Sequence, residues 1–419
     1  MERAAAAHTT KGSQTARRGT PTKQKRAAHN KKAARPRKLM APSAISKFSN
    51  YAASQGRPDL AELLPTEEGA PVIIELSAAN ASRLLDDEDA EVIAEGSKDA
   101  GLWVEKVALP HHAVGDAGAS SLAKLSMCKA LDLTANGITA KGLESITEAM
   151  GGLTSLKLGW NALGRAGGEI VAKAMGKPGC PLKELDLSHC EIDAPGLIAI
   201  CAVLRHEETA PPIEVLDLGS NKLFCETHED VAKQVSTCVG LNKTLKVLRL
   251  RNLRFDDACA GYISDAIRVN KSLTEVDLSA NRICAAGAAA LAGALYDACF
   301  TARRKQMEPE PPLKKLDLSR NVIGDGGAAA LAEMIAADPS LIELRVCNNG
   351  IRDEGGAALA TACLAKTHLE YLGMWGNTFG PKACAAIDHL DNGDHDAFVD
   401  LDVRTYEVDG KLKASRANK

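Results

Sequence analysis

The sequence predicts an α/β solenoid, a row of strand-and-helix units stacked side by side with parallel strands on one face and helices on the other. Three observations carry the prediction. The phrase Leu313-Lys-Lys-Leu316-Asp-Leu318-Ser-Arg-Asn321-Val-Ile323, followed by Gly327 and Leu331, fits a template that recurs about ten times along the chain. Inside that template the apolar residues first alternate and then recur at helical spacing, so one unit holds a short strand and then a helix. Aromatic residues are 3% of the 419 while hydrophobic residues reach 45%. The buried layers must therefore be built of Leu, Ile, Val and Ala, which suits many thin, similar layers.

The units are marked by the residue at the Asn321 position: His112, Asn136, Asn161, Cys190, Asn221, Leu253, Asn281, Asn321, Asn349 and Asn377, at spacings of 24 to 40 residues. Strand period two points Leu316 and Leu318 inward and Lys315, Asp317 and Ser319 outward. Asn321 can bond backbone groups left unpaired where the chain turns away from the strand. Ile323 closes the layer, Gly324 and Gly327 mark the turn and the close entry to a helix, and Ala328–Ala336 supplies an Ala/Leu helical face. Val72–Leu76 is strand-like and Asp86–Ala100 helical, together a degenerate first unit. Ile45, Phe48 and Tyr51 predict a short helix between Ser43 and Ala53 that covers the first repeat, because terminal units expose an apolar edge. The long unit after Asn221 is expected to extend its helix, and Thr301–Pro312 to form a protruding loop.

Over roughly residues 102–390 these units resemble the ribonuclease-inhibitor subtype of leucine-rich repeat, a family that includes ribonuclease inhibitor, the Ran GTPase-activating protein, tropomodulin and the repeat domains of NOD-like receptors. The resemblance implies a horseshoe with strands on the concave face and helices on the convex face. Cys190 fits, since the family admits Cys at the asparagine position. His112 and Leu253 depart from the pattern, and irregular turns are expected there. The phrase Leu401-Asp-Val-Arg-Thr-Tyr406-Glu-Val-Asp-Gly410 is similar to the tails of the leucine-rich repeat-containing protein 34 group and of a repeat subunit of the ciliary dynein regulatory complex.

Charge divides the chain. Residues 1–58 hold 14 Lys/Arg and one acid, a net +13, and the other 361 residues hold 37 bases and 53 acids, a net −16. Residues 1–38 contain no Leu, Ile, Val, Phe, Tyr or Trp, so they have nothing to bury and read as a disordered arm. Its clusters are Lys23, Lys25 and Arg26, then Lys31, Lys32, Arg35, Arg37 and Lys38. Nuclear import or weak, salt-sensitive polyanion contact, organelle targeting, and a solvated tail are its three readings. The expected organisation is an arm over 1–42, a capping segment with the degenerate repeat over 43–101, repeats over 102–390 and a closing cap and tail over 391–419.

No catalytic or cofactor site is predicted. Gly159–Gly164 has two P-loop glycines but not the Lys and hydroxyl that grip phosphate. Asp391–Asp396 misplaces the glycine of a calcium loop. Twelve cysteines are scattered from Cys128 to Cys384 without a C-x-x-C pair, so they read as reduced thiols, and no Cys/His cluster has metal-ligand spacing. His111-His112 reads as solvent-exposed. The aspartates Asp132, Asp186, Asp217, Asp277 and Asp317 form a column on the concave face, broken by Lys157, Arg249 and Arg345, which would pair with it. No apolar run nears the length of a membrane span. With no secretory leader in view, the chain is expected in the nucleus or in the cytoplasm and cytoskeleton, the cilium included.

What remains is a broad surface with Arg and aromatic anchors, the side chains that dominate interface energetics. Trp160, Arg249, Arg251, Arg320, Arg345, Tyr371 and Trp375 are read as exposed strand positions, with Tyr371, Trp375 and Arg345 as the leading protein-binding patch. The expected function is a non-catalytic scaffold that binds protein partners, without small-molecule substrate, cofactor or membrane. A GTPase-activating regulator like the Ran activator and a structural component of the ciliary axoneme are the alternatives.

Overall fold

The computed structural model describes residues 42–64, 71–206, 209–223, 227–304, 313–337, 340–364, 368–392 and 400–416. The basic clusters from Lys23 to Lys38 lie outside them.

After α1 (Pro42–Ser54) and a 3₁₀ turn (Pro58–Leu63), strands and helices alternate: β1 (Val72–Glu75), α2 (Asp87–Ala100), β2 (Val104–Ala108), α3 (Asp116–Ala123), β3 (Ala130–Asp132), α4 (Ala140–Ala149), β4 (Ser155–Lys157), α5 (Gly164–Met175) and β5 (Glu184–Asp186). The series continues with α6 (Ala194–Leu204), β6 (Val215–Asp217), α7 (His228–Leu241), β7 (Val247–Arg249), α8 (Asp257–Val269), β8 (Glu275–Asp277), α9 (Ala285–Arg304) and β9 (Lys315–Asp317). It closes with α10 (Gly324–Ala336), β10 (Glu343–Arg345), α11 (Asp353–Ala362), β11 (Tyr371–Gly373), α12 (Pro381–Asn392), β12 (Asp400–Leu401) and a hairpin of β13 (Val403–Val408) and β14 (Lys411–Arg416). Strands β1 to β12 form one parallel sheet in chain order, the α/β horseshoe of the sequence reading.

The core is a set of in-register rows. Leu131, Leu156, Leu185, Leu216, Leu248, Val276, Leu316, Leu344, Leu372 and Leu401 are successive partners across the sheet, and all are buried. No unit could bury its row alone, so neighbours stabilise one another.

Two hydrogen-bond ladders fasten the stack. On the strand side, the amide of Asn321 donates to the carbonyls of Leu278 (3.0 Å) and Leu318 (2.8 Å), and its oxygen accepts from the N–H of Ile283 (3.0 Å). Asn136, Asn161, Asn221, Asn281 and Asn377 make the same three kinds of bond to their own turn and the preceding one. The thiol of Cys190 reaches the Leu158 carbonyl at 3.1 Å. The residue before every marker, from His111 to Gly376, has a left-handed φ between 53° and 79°.

That regularity corrects the expectation for His112; at Leu253 the next residue, Arg254, is also left-handed (φ 62°), so that turn departs from most of the others as expected. His112 is buried rather than exposed: Nδ1 accepts from the Leu85 N–H (3.1 Å) and Nε2 faces the Leu76 carbonyl (3.1 Å), so the ring spans the place of an asparagine amide. Leu253 is fully buried and has no polar group to offer, so the ladder loses its rung between the units of Asn221 and Leu253.

On the helix side, an aspartate in the first turn of one helix caps the next. Asp87 accepts from Gly115 and Gly118, Asp116 from Thr139 and Gly142, Asp257 from Cys284 and Gly287, and Asp325 from Arg352 and Gly355. A Cβ at Gly118, Gly142, Gly287 or Gly355 would stand 2.5–2.7 Å from the capping oxygen. That is why glycine follows six residues after the marker in those four units; at Gly167, Gly196 and Gly327 a Cβ would instead meet Leu163, Ile192 and Ile323.

At the N-terminal end Phe48 is buried while Ile45 and Tyr51 pack against the core, as their spacing predicts. Arg83 (2.5 Å) and Arg57 (3.4 Å) converge on the buried Asp89, the N3 residue of a capping box with Asp86. Two expectations about insertions change. Helix α9 runs through Arg304, so residues 301–304 are helical, as their Ala/Arg composition favours, while residues 305–312 lie outside the described residues. After Asn221 most of the added length precedes the helix, which starts at His228 rather than three or four residues past the marker; Thr227 does not cap it, and α7 has 14 residues against 13 in α8.

Candidate protein-binding face

The sheet face away from the helices carries two outward rows per strand. One runs Asp132, Lys157, Asp186, Asp217, Arg249, Asp277, Asp317, Arg345 and Gly373; the other includes Glu184, Glu275, Lys315, Glu343 and Tyr371. The aspartates are first of all turn formers: one oxygen each of Asp132, Asp186, Asp217, Asp277 and Asp317 accepts the N–H two residues on, at 2.8–3.0 Å.

The cations in the aspartate column pair differently from the sequence expectation. Lys157 meets Glu184 (2.8 Å), Arg249 meets Glu275 (3.0 Å) and Arg345 meets Glu343 (2.5 Å), which also takes Lys315 at 3.0 Å. A flexible glutamate in the neighbouring row reaches a cation that an aspartate tied to its own turn does not. Adjacent aspartates therefore keep like-charged neighbours. Burial, and next the charge of Asp186, raise the Asp217 carboxyl to about 6. Burial raises that of Asp317 as well, with Asp277 adding to it against two Ser319 hydrogen bonds. Glu343 goes the other way: burial opposes its charge, but bonds from Arg345 and Lys315 outweigh that and lower its pKa.

Of the seven anchors, Arg249, Arg345 and Tyr371 are on strands. Trp160, Arg251, Arg320 and Trp375 are on the turns just after them, a correction to their reading as strand positions. With three-residue strands, the second residue past each strand has already left the sheet. Trp160 and Arg320 have left-handed φ values of 61° and 58°, which turns their side chains onto the rim. Trp160 is 56% exposed and stacks on His189, ring centroids 3.6 Å apart. Arg251 lays its stem over Gly219 and sits 3.7 Å from Asp217.

The structure brings one group together. The Arg345 guanidinium lies 5.0 Å from the Tyr371 ring centroid. Gly373 makes room for both, since a Cβ there would meet the Tyr371 ring at 3.2 Å and the Arg345 stem at 3.4 Å. Trp375 follows, 39% exposed, its N–H held by Asp402 at 3.0 Å. Beside this group a cleft of about 260 Å³ is lined by Glu275, Asp277, Lys315, Asp317, Glu343 and Arg345. Trp160 stands six strands away, about 29 Å at 4.8 Å per strand, and belongs to a separate patch. Glu275, Glu343, Gly373, His189 and Asp402 were missed from sequence. Aligning the two outward positions of every repeat would have exposed the first three.

A family model described as Leucine Rich repeat matches residues 129–146, 180–201, 269–292, 311–332 and 337–360. Ribonuclease inhibitor of Sus scrofa is 29% identical over 246 residues, covering 57% of this chain and 50% of its own length. This chain is a ribonuclease-inhibitor-type leucine-rich-repeat protein. The Mus musculus inhibitor is 28% identical over 233 residues, 49% of this chain and 48% of the relative. The repeat chain thus spans about half the length of the ribonuclease inhibitors it matches. RAN GTPase-activating protein 2 of Arabidopsis thaliana is 29% identical over 155 residues, 37% of this chain and 25% of that protein. Among the described residues of the repeat protein, no helix is long and apolar enough to cross a membrane.

Proposed function

We propose that the chain is a non-catalytic scaffold that holds a protein partner against the C-terminal half of its strand face. The observation that supports this most is Arg345 over Tyr371, next to exposed Trp375 and at the rim of a carboxylate-lined cleft. Rigid aromatics and arginine give contact area at modest entropic cost. The cleft holds four acids and two bases, so it suits a cationic segment of the partner. The inhibitors among its relatives are named for acting on another protein, which fits a binding role. In this reading residues 1–42 tether the chain to an acidic surface or carry it to the nucleus, residues 43–101 and 391–419 close the two ends, and the protein works inside the cell.

The test is proximity labelling with full-length protein, followed by affinity measurement on the partners found. Replacing Arg345, Tyr371 and Trp375 together by Ala is expected to weaken binding about a hundredfold or more, whereas Trp160→Ala leaves it unchanged. Equal capture by the triple variant, with an unchanged melting temperature, rejects the site. A start at Pro42, which keeps α1 and its buried Phe48, isolates the contribution of the arm, which should be lost with rising salt.

The similarity to RAN GTPase-activating protein 2 favours a second reading, a regulator of GTP hydrolysis. It predicts that the chain accelerates turnover by a Ran-type GTPase; an unchanged rate at saturating protein rejects it.

A further inference from the structure

The geometry points to a zinc site between α7 and α8, formed by His228, Asp256 and Cys259. Their donor atoms all lie within 4.8 Å of one another. His228 Nε2 is 3.3 Å from Asp256 Oδ2, and two ligands about 2.0 Å from a tetrahedral zinc stand about 3.3 Å apart. Asp256 uses Oδ1 to cap its helix through the Cys259 N–H at 3.1 Å, which leaves Oδ2 for a metal. The Cys259 side chain hydrogen-bonds the same carboxylate. An imidazole, a carboxylate and a thiolate are a zinc donor set, and the half-buried His228 and Asp256 leave a fourth position open to water.

The place in the repeat pattern is an independent argument. His228 is the first residue of α7, the position from which Asp87, Asp116, Asp257 and Asp353 cap the following helix in other units. Cys259 stands six residues after its marker, where Gly118, Gly142, Gly167, Gly196, Gly287, Gly327 and Gly355 stand in theirs. Thus an interface that at α2–α3, α3–α4 and α8–α9 sets a carboxylate against a bare glycine here sets an imidazole against a thiol. It is also the interface at which Leu253 removes the asparagine rung. A metal bridging α7 to α8 would fasten the stack where its own ladder is interrupted. Sequence spacing hid the group, because His228 lies 28 and 31 residues from its partners.

The experiment uses the full chain, stripped with chelator and titrated with Zn²⁺ and Co²⁺. The expected result is one metal per chain, a cobalt–thiolate charge-transfer band, and a higher melting temperature with zinc. Cys259→Ser and His228→Ala should each weaken binding about a hundredfold or more, beyond the range seen when outer-shell partners are removed. Asp256→Asn keeps the helix cap and should weaken binding too. His228 is half-buried, so its variant should fold even where Cys259→Ser does not; circular dichroism verifies this. Absence of the band in folded protein, or a band that survives both His228→Ala and Cys259→Ser, overturns the proposal and leaves the three groups as a hydrogen-bonded helix cap.

Discussion

Asn321→Ala tests whether the strand-side ladder stabilises the stack as its geometry implies. The asparagine is 6% exposed and meets the Leu278 and Leu318 carbonyls and the Ile283 N–H. Alanine leaves the Ile283 N–H without its partner in a site closed to solvent, and takes one of two amide donors from each carbonyl, since Leu278 keeps Asn281 (2.9 Å) and Leu318 keeps Asn349 (2.9 Å). A buried polar group left unpaired costs about 1–3 kcal/mol, and water entering the small void recovers part of that. With the two lost carbonyl bonds adding about 0.5–1.5 kcal/mol each, a loss of about 2–4 kcal/mol is expected, within the range for truncating a buried leucine such as Leu318. Urea unfolding of the full chain, followed by circular dichroism, gives the loss as a lower midpoint. If the slope also falls, the array has separated into two segments that unfold independently. Asn321→Cys should lose less than Asn321→Ala, because the Cys190 thiol already makes one such bond. A loss under about 0.5 kcal/mol for Asn321→Ala would refute the ladder as a source of stability.

Three further outcomes follow from the same coordinates of charge and space. Asp217, raised to about 6 in the fold, holds its proton over a pH range in which the unfolded carboxyl has released it; that contribution is present in acid and is lost as pH rises through about 6. Asp217→Asn keeps the acceptor for Gly219 and should stabilise by about 1–3 kcal/mol at pH 7, with little change below pH about 4, measured as paired urea midpoints. Gly168→Ala puts a Cβ 2.6 Å from the Gly196 Cα and should cost about 2–3 kcal/mol, whereas Gly261→Ala, with open space around it, should be neutral or stabilising in the same thermal assay. Arg83→Ala leaves the buried Asp89 with Arg57 at 3.4 Å as its remaining cation; a drop of about 2–4 kcal/mol in urea titration is expected.

The leucine rows, the asparagine turns and the glycine in the first turn of most helices were legible because each is a local pattern repeated. What was not legible needed two units at once. The partner of Arg345 depends on whether an aspartate already bound to its own turn or a glutamate in the next row can reach it. His112 looked like an exposed histidine because the carbonyl and N–H it spans come from Leu76 and Leu85, in another unit. The Asp409-Gly410 pair, with φ values of 52° and 71°, closes the β13–β14 hairpin; that turn signal was present in the sequence, within a phrase read for its family likeness. Trp160 and Trp375 were placed on strands because a strand three residues long ends sooner than the apolar alternation suggests.

The two ladders run in opposite directions. A helix start is completed by an aspartate from the unit before it, and a strand turn by an asparagine from the unit after it. As the chain leaves the ribosome, α3, α4, α9, α11 and α12 each meet a ready-made acceptor, while their turns wait for the next thirty or so residues to be made. Growth of the array is therefore vectorial, with one unfinished turn at its advancing end. Asp402, which takes the N–H groups of Met374 and Trp375 on the last turn, brings that wait to a close.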